Sequence, residues 1–204
     1  MKITLAAILI LLAAVSAFGQ NKHETSKRIQ ETIKKLAPIK SYVKSVEEAV
    51  QKAGVPDTVV ADISDYNNSE KPEWKWYKSH HEYEVDERDS YTTAFMWKKD
   101  GRAAQVNFTY SSPSGDWVQY VFHTYYPDGA AAKIDRELRT FMGDIIVNRV
   151  SFYDTQGQAV AEYISYRDLQ TQKFVRKPES FMDMEADVYL KSSDLPFSRT
   201  SVEK

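Results

Sequence analysis

Three short glycine turns, "KKDGRAAQV", "YPDGAAAKI" and "DTQGQAVAE", place Gly101, Gly129 and Gly157 at a constant spacing of 28 residues. Four residues before each glycine stands an aromatic: Trp97, Tyr125 and Tyr153. After each glycine the chain alternates. Ala104, Val106, Phe108 and Tyr110, then Ala132, Ile134, Arg136 and Leu138, then Val160, Glu162, Ile164 and Tyr166 share one side. Gln105, Asn107 and Thr109, then Lys133, Asp135 and Glu137, then Ala161, Tyr163 and Ser165 share the other. Period two on both sides of a glycine that supplies positive φ is the pattern of a β-hairpin. Repeated in tandem, with "SSPSGD" and "MGD" as links, it is the pattern of an antiparallel meander with strands of about ten residues. The first side is expected to face a core, and the second to face water.

Flanking segments extend this reading. "MDMEADVYL" alternates Met182, Met184, Ala186, Val188 and Leu190 on one side and is expected to add a strand. "EWKWYKSHHEYEV" has no clean apolar side and reads as an edge strand running from Trp74 to Val85. Upstream, Ile29, Ile33, Leu36, Val43, Val46, Val50 and Ala53 form one stripe of an amphipathic helix, stopped by Gly54 and Pro56. Pro38 lies within the stripe and predicts a kink or a split into two helices. A meander with one apolar face must hide it, and this helix is the evident cover. The expected fold is α+β, with the helix packed on a long antiparallel sheet of about seven to nine strands, curled into a half-barrel or, as the alternative, closed into a barrel.

The first residues, "MKITLAAILILLAAVSAFGQ", carry one Lys, an apolar run too short for a bilayer, and a small-residue exit. The expected organisation is therefore a cleaved signal peptide over 1–19, a helical segment over 20–54, a linker over 55–72, the sheet over 73–197 in one domain with the helix, and a flexible tail over 198–204. Such a leader implies a secreted or periplasmic protein without a membrane-spanning segment after processing. With no cysteine in the chain, burial alone must stabilise the fold. There are 27 basic and 29 acidic residues, a balance that gives no footprint for nucleic acid. Residues 21–54 hold eight Lys or Arg against four Glu, so the acidic excess lies in the sheet, and the two regions attract one another.

"FYDTQGQAV" and "YYPDGAAAK" resemble the aromatic-x-x-x-Gly turns of YD-type and MORN-type β-hairpin repeats, over roughly residues 95–166. That resemblance implies hairpin geometry and transfers no functional residue. No catalytic serine, zinc-helix or phosphate-loop motif is present, and no cofactor is implied. His80, Glu82 and Glu84 on one strand side, with His123 on a later strand, have the chemistry of a metal site if they converge, and an enzyme at the His80/Glu82 strand is one alternative. The surplus of rings points elsewhere: Trp74, Trp76, Tyr77, Trp97, Trp117 and Tyr120 are candidates for a binding surface, together with Arg136 and Glu162, where charge interrupts the apolar side. The expected function is a non-enzymatic exported protein that presents an aromatic-rich sheet to an unknown small molecule or protein partner. A barrel carrying an apolar ligand is the other alternative.

Overall fold

A computed structural model describes residues 5–86, 88, 90–181 and 186–198, the stretch 5–23 by backbone alone. Helix α1 spans Leu5–Ala53, followed by β1 (Thr58–Asp62), β2 (Trp74–Tyr77), α2 (His80–Glu84), β3 (Thr92–Lys99) and β4 (Arg102–Ser111). Then come β5 (Trp117–Tyr125), β6 (Ala131–Thr140), β7 (Ile145–Tyr153) and β8 (Ala159–Asp168), and a short 3-10 turn at Ser192–Asp194. All strand pairings are antiparallel, in the order β2-β1-β3-β4-β5-β6-β7-β8. The sheet is open, with β2 and β8 at its two edges, so there is no barrel lumen to carry a ligand. The repeated turns join β3 to β4, β5 to β6 and β7 to β8, and their glycines adopt φ of +76°, +88° and +76°.

Several sequence expectations need correction. The stretch expected as a linker contributes β1, whose "TVVA" is buried between β2 and β3. The edge strand ends at Tyr77; Ser79 then caps α2 by accepting a hydrogen bond from the Glu82 amide, and Glu82 Oε2 accepts from the Lys78 amide. This reciprocal capping turns His80 to Glu84 into a helix where period two predicted strand. Helix α1 runs through Pro38 as one element, so the chain is not split there. Met182 to Glu185 of the last expected strand lie outside the described residues, as do 199–204 of the expected tail; Ala186 to Tyr189 are irregular.

The larger correction concerns which segment covers which face. Registers place Ala94, Phe108, Val121, Arg136, Arg149 and Ile164 side by side on one face, and Phe95, Asn107, Phe122, Asp135, Val150 and Tyr163 on the other. The first face is the expected apolar one, but it is covered by the C-terminal segment. Leu195 and Phe197 are buried with Val60, Met96, Val106, Phe108 and Ile134, and Tyr189 and Ala186 pack against the same cluster. Helix α1 lies on the opposite face, near the glycine turns. There Leu36, Ile39 and Val43 meet Tyr126, Ala132, Phe152 and Ala161. The reason is local: register shifts beside Tyr125 and Tyr153 turn Ala132 and Val160, expected on the core side, toward the helix, and with Tyr126, Phe152 and Ala161 they let an apolar helix stripe bury itself there at a gain of roughly 25 cal/mol per Å².

The C-terminal segment is fastened at the middle turn. The amide of Ala131 donates to the Leu190 carbonyl, and the amide of Ser192 to the Gly129 carbonyl. Gly129 is required twice over, because its φ is +88° and a Cβ there would stand 2.7 Å from Ser192 Oγ.

Candidate functional site

Both faces are thus covered in part, and the helix-side face is left with a window. Helix α1 closes it at the turn end. Helix α2 closes it over β1 to β3, where the Tyr83 ring meets Tyr77 at 5.3 Å and Phe95 at 5.7 Å. Between them Phe95, Asn107, Phe122, Asp135 and Val150 form a half-buried row, with Thr109, Tyr120, Glu137 and Asn148 in the next. Strand alternation aims all of these side chains to the same side.

The charges in this window are mutually satisfied. Lys133 Nζ lies 2.9 Å from Glu47 Oε1 and 3.1 Å from Asp135 Oδ2, while Asn148 Nδ2 donates to Asp135 Oδ1 at 2.8 Å. Burial opposes the Lys133 charge, but Asp135 and Glu47 outweigh it and leave the ammonium pKa above its ordinary value. Glu137 is shared between Arg139 at 2.6 Å and Arg167 at 2.7 Å, and the Arg139 guanidinium lies 5.4 Å over the Tyr120 ring.

The uncharged polar groups are not all satisfied. Trp97 Nε1, Gln105 Oε1 and Asn107 Oδ1 are buried without a hydrogen-bond partner. They are neighbours: Trp97 stands opposite Gln105 in the β3–β4 register, and Asn107 follows two residues along β4. Gln105 is only 7% exposed, whereas Asn107 is half-buried and reaches the window. Each such orphan costs about 1–3 kcal/mol. Trp97 also lines a cavity of about 160 Å³ beneath Val46, Ala49 and Val50 of α1.

Comparison with protein-family models, with curated proteins and with solved structures gives no match. The site must therefore be read from its own residues.

The aromatic candidates separate into different places. Trp74 and Trp76 lie on the C-terminal-segment face, each with its ring 5.5 Å from that of Phe197. Trp117 packs against Leu138, Ile145 and Val147 with Tyr166 and Phe181. Tyr77 is on the helix side but buried, and donates to Asp86 Oδ2 at 2.8 Å; burial and that carboxylate push its phenol up to about 12. Arg88, Lys75 and Tyr77 together hold the Asp86 carboxyl far below its ordinary range. Only Trp97 and Tyr120 belong to the window. Arg136 and Glu162 come together on the opposite face, 3.7 Å apart, where Ser151 Oγ also donates to Glu162.

The metal candidates do not converge. His80, Glu82 and Glu84 sit in α2, with His80 Nδ1 3.4 Å from Glu84 and Glu82 engaged in capping. His123 is fully buried on the other face, accepting a hydrogen bond from the Tyr189 amide at Nε2. Among the described residues no group of three or more His, Asp or Glu is placed to hold a metal. A concavity of about 530 Å³ lies between the Gly129 and Gly157 turns and residues 190–193, and is lined by turn side chains with no aromatic. Gln105 and Asn107 were not legible as site residues, because alternation marks them only as a wetted side.

Proposed function

We propose that this chain is an exported, non-enzymatic binding or interaction protein whose ligand lies in the helix-side window, on Asn107, Phe122 and Tyr120. The observation that carries the reading is the adjacent set of unpartnered polar atoms, one ring N–H donor and two amide oxygens, beside half-exposed rings. Such a set suits a small molecule with a flat or apolar portion for the Phe122 and Tyr120 rings and a hydrogen-bonding group for the half-buried Asn107 amide. The paired charges of the window favour recognition by shape and neutral hydrogen bonds over attraction of an ion. The leader-like first residues support export; among the described residues no helix is long and apolar enough to cross a membrane.

Native mass spectrometry of the protein processed by its own host tests this. A small molecule that travels with the wild type and is lost from Gln105→Leu/Asn107→Leu is the expected result. A bare mass for both proteins would remove the reading. Because the double substitution also deletes buried orphans, it should leave the fold intact and raise its stability by about 1 kcal/mol or more.

A further inference from the structure

The two edges of the sheet are unlike. β2 is four residues long, carries Lys75, and runs at once into α2, which are the usual ways of blunting an edge. β8 is ten residues long and holds neither proline nor lysine. Its last part is paired on the outside: the Val175 amide donates to the Tyr166 carbonyl, and the Asp168 amide to the Lys173 carbonyl. Strand alternation then turns the N–H and C=O of Glu162 and Ile164 to the same outer side, up to the register shift that leaves Val160 without an opposite residue on β7, and among the described residues no backbone group pairs with Ala159–Ser165 there. The one charge in this stretch does not guard it, since Glu162 is engaged by Ser151 and Arg136 within the chain. Tyr163 and Ile164 are 49% and 44% exposed.

Helix α1 overruns this same edge. It crosses the sheet from β3, beside Val50, to β8, where Lys40 Nζ lies 5.3 Å over the Tyr163 ring, and among the helix residues whose burial is described Leu36 is the last buried one toward the N-terminus. Glu24 to Lys35 are all exposed, a length of about 18 Å at 1.5 Å per residue. Ile29 and Ile33, each 53% exposed, continue the stripe that Leu36 and Val43 bury. One added peptide strand would extend the sheet by only about 4.8 Å, far less than the overhang. The overhang calls for a sheet several strands wide with a free edge of its own, and β8 of another copy is such an edge.

We infer that two copies of this chain pair antiparallel through the Ala159–Ser165 stretch of β8 across a two-fold axis perpendicular to the sheet. Both helices then lie on the same side and pass one another, each setting Ile29 and Ile33 over the outer strands of its partner. The interface does not depend on the window ligand.

The test is the molar mass in solution, by light scattering on the protein expressed with its own leader, at about 10 to 200 μM. The wild type is expected to be a dimer. Ile164→Pro removes an outward N–H and leaves the β7 ladder its donors, so it is expected to give a monomer with unchanged far-ultraviolet circular dichroism. If that variant does not fold, Ile29→Glu/Ile33→Glu decides, because both side chains are exposed in the single chain; a shift of dimer dissociation by tenfold or more supports the pairing. A wild-type monomer throughout this range overturns it. A dimer that persists unchanged in every folded variant overturns it equally.

Discussion

His123 is an acid-sensitive point in the attachment of the C-terminal segment. It is fully buried, stacked at 6.0 Å on Tyr125 and 5.6 Å from Tyr189, and its Nε2 accepts the Tyr189 amide proton at 3.2 Å. Its own proton therefore sits on Nδ1, near the Val121 and Val106 carbonyls but without a well-formed hydrogen bond to either. Burial pushes the imidazole down to about 4; the Arg136 guanidinium adds to this, and the carbonyls of Val121 and Val106 act against it. In the unfolded chain the group titrates near 6.5, so below that pH the unfolded state binds more protons and stability falls with falling pH. From the two values, the wild type should lose about 2 kcal/mol from this group between pH 7 and pH 5, and about 3 kcal/mol once pH is well below 4. His123→Gln keeps an acceptor for the Tyr189 amide but does not titrate. Urea unfolding followed by tryptophan fluorescence at pH 7, 6 and 5 measures the difference between the two proteins, which cancels the titration of carboxylates common to both. The stability of the wild type relative to the variant should fall across that range by the amount given. Parallel pH profiles would refute the reasoning, because they would mean that His123 is as free to protonate in the fold as out of it.

Removing the ring of Phe197, which is 1% exposed and contacts Trp74, Trp76 and Phe108, should cost about 3–5 kcal/mol in Phe197→Ala and shift the tryptophan emission to the red. Gly157→Ala, with φ of +76° and open space, should cost about 1–2 kcal/mol in thermal or urea unfolding. Gly129→Ala should cost more, and a second change, Ser192→Ala, should return only the excess, since the positive φ remains.

The hairpins were legible because period two and a glycine at fixed spacing are local signals, and each turn formed where the pattern put it. What misled was also local. In "SHHEYE" the alternation that suggests a strand competes with a capping box, and the Ser79–Glu82 hydrogen bond satisfies helix donors that a strand edge would leave open. The identity of the covering segment was not local at all. Nothing in the spacing of residues 186–197 states that Leu195 and Phe197 will lie across Val106 and Phe108, because an irregular segment buries side chains without a period. The window residues were hidden for a related reason. Gln105 and Asn107 fit the wet side of a strand, and only the arrival of α1 over Trp97 makes their burial costly.

Covering both faces with different segments changes what the sheet can offer. Had the helix alone closed the apolar face, the opposite face would have been a broad wet surface. Instead the C-terminal segment takes the strongest apolar surface, with Trp74 and Trp76 consumed in it, and leaves α1 to cover only the turn end of the other face. That division creates the two incomplete places in the molecule. The window exists because α1 is too narrow to cover the whole helix-side face, and the overhang because α1 is too long for a sheet that stops at β8. A ligand in the window would meet groups held by β3 to β7, whereas a second copy at β8 would meet the helix end and the outer strand. The two are therefore separable by substitution, with Gln105→Leu/Asn107→Leu leaving molar mass unchanged and Ile29→Glu/Ile33→Glu leaving a bound small molecule in place.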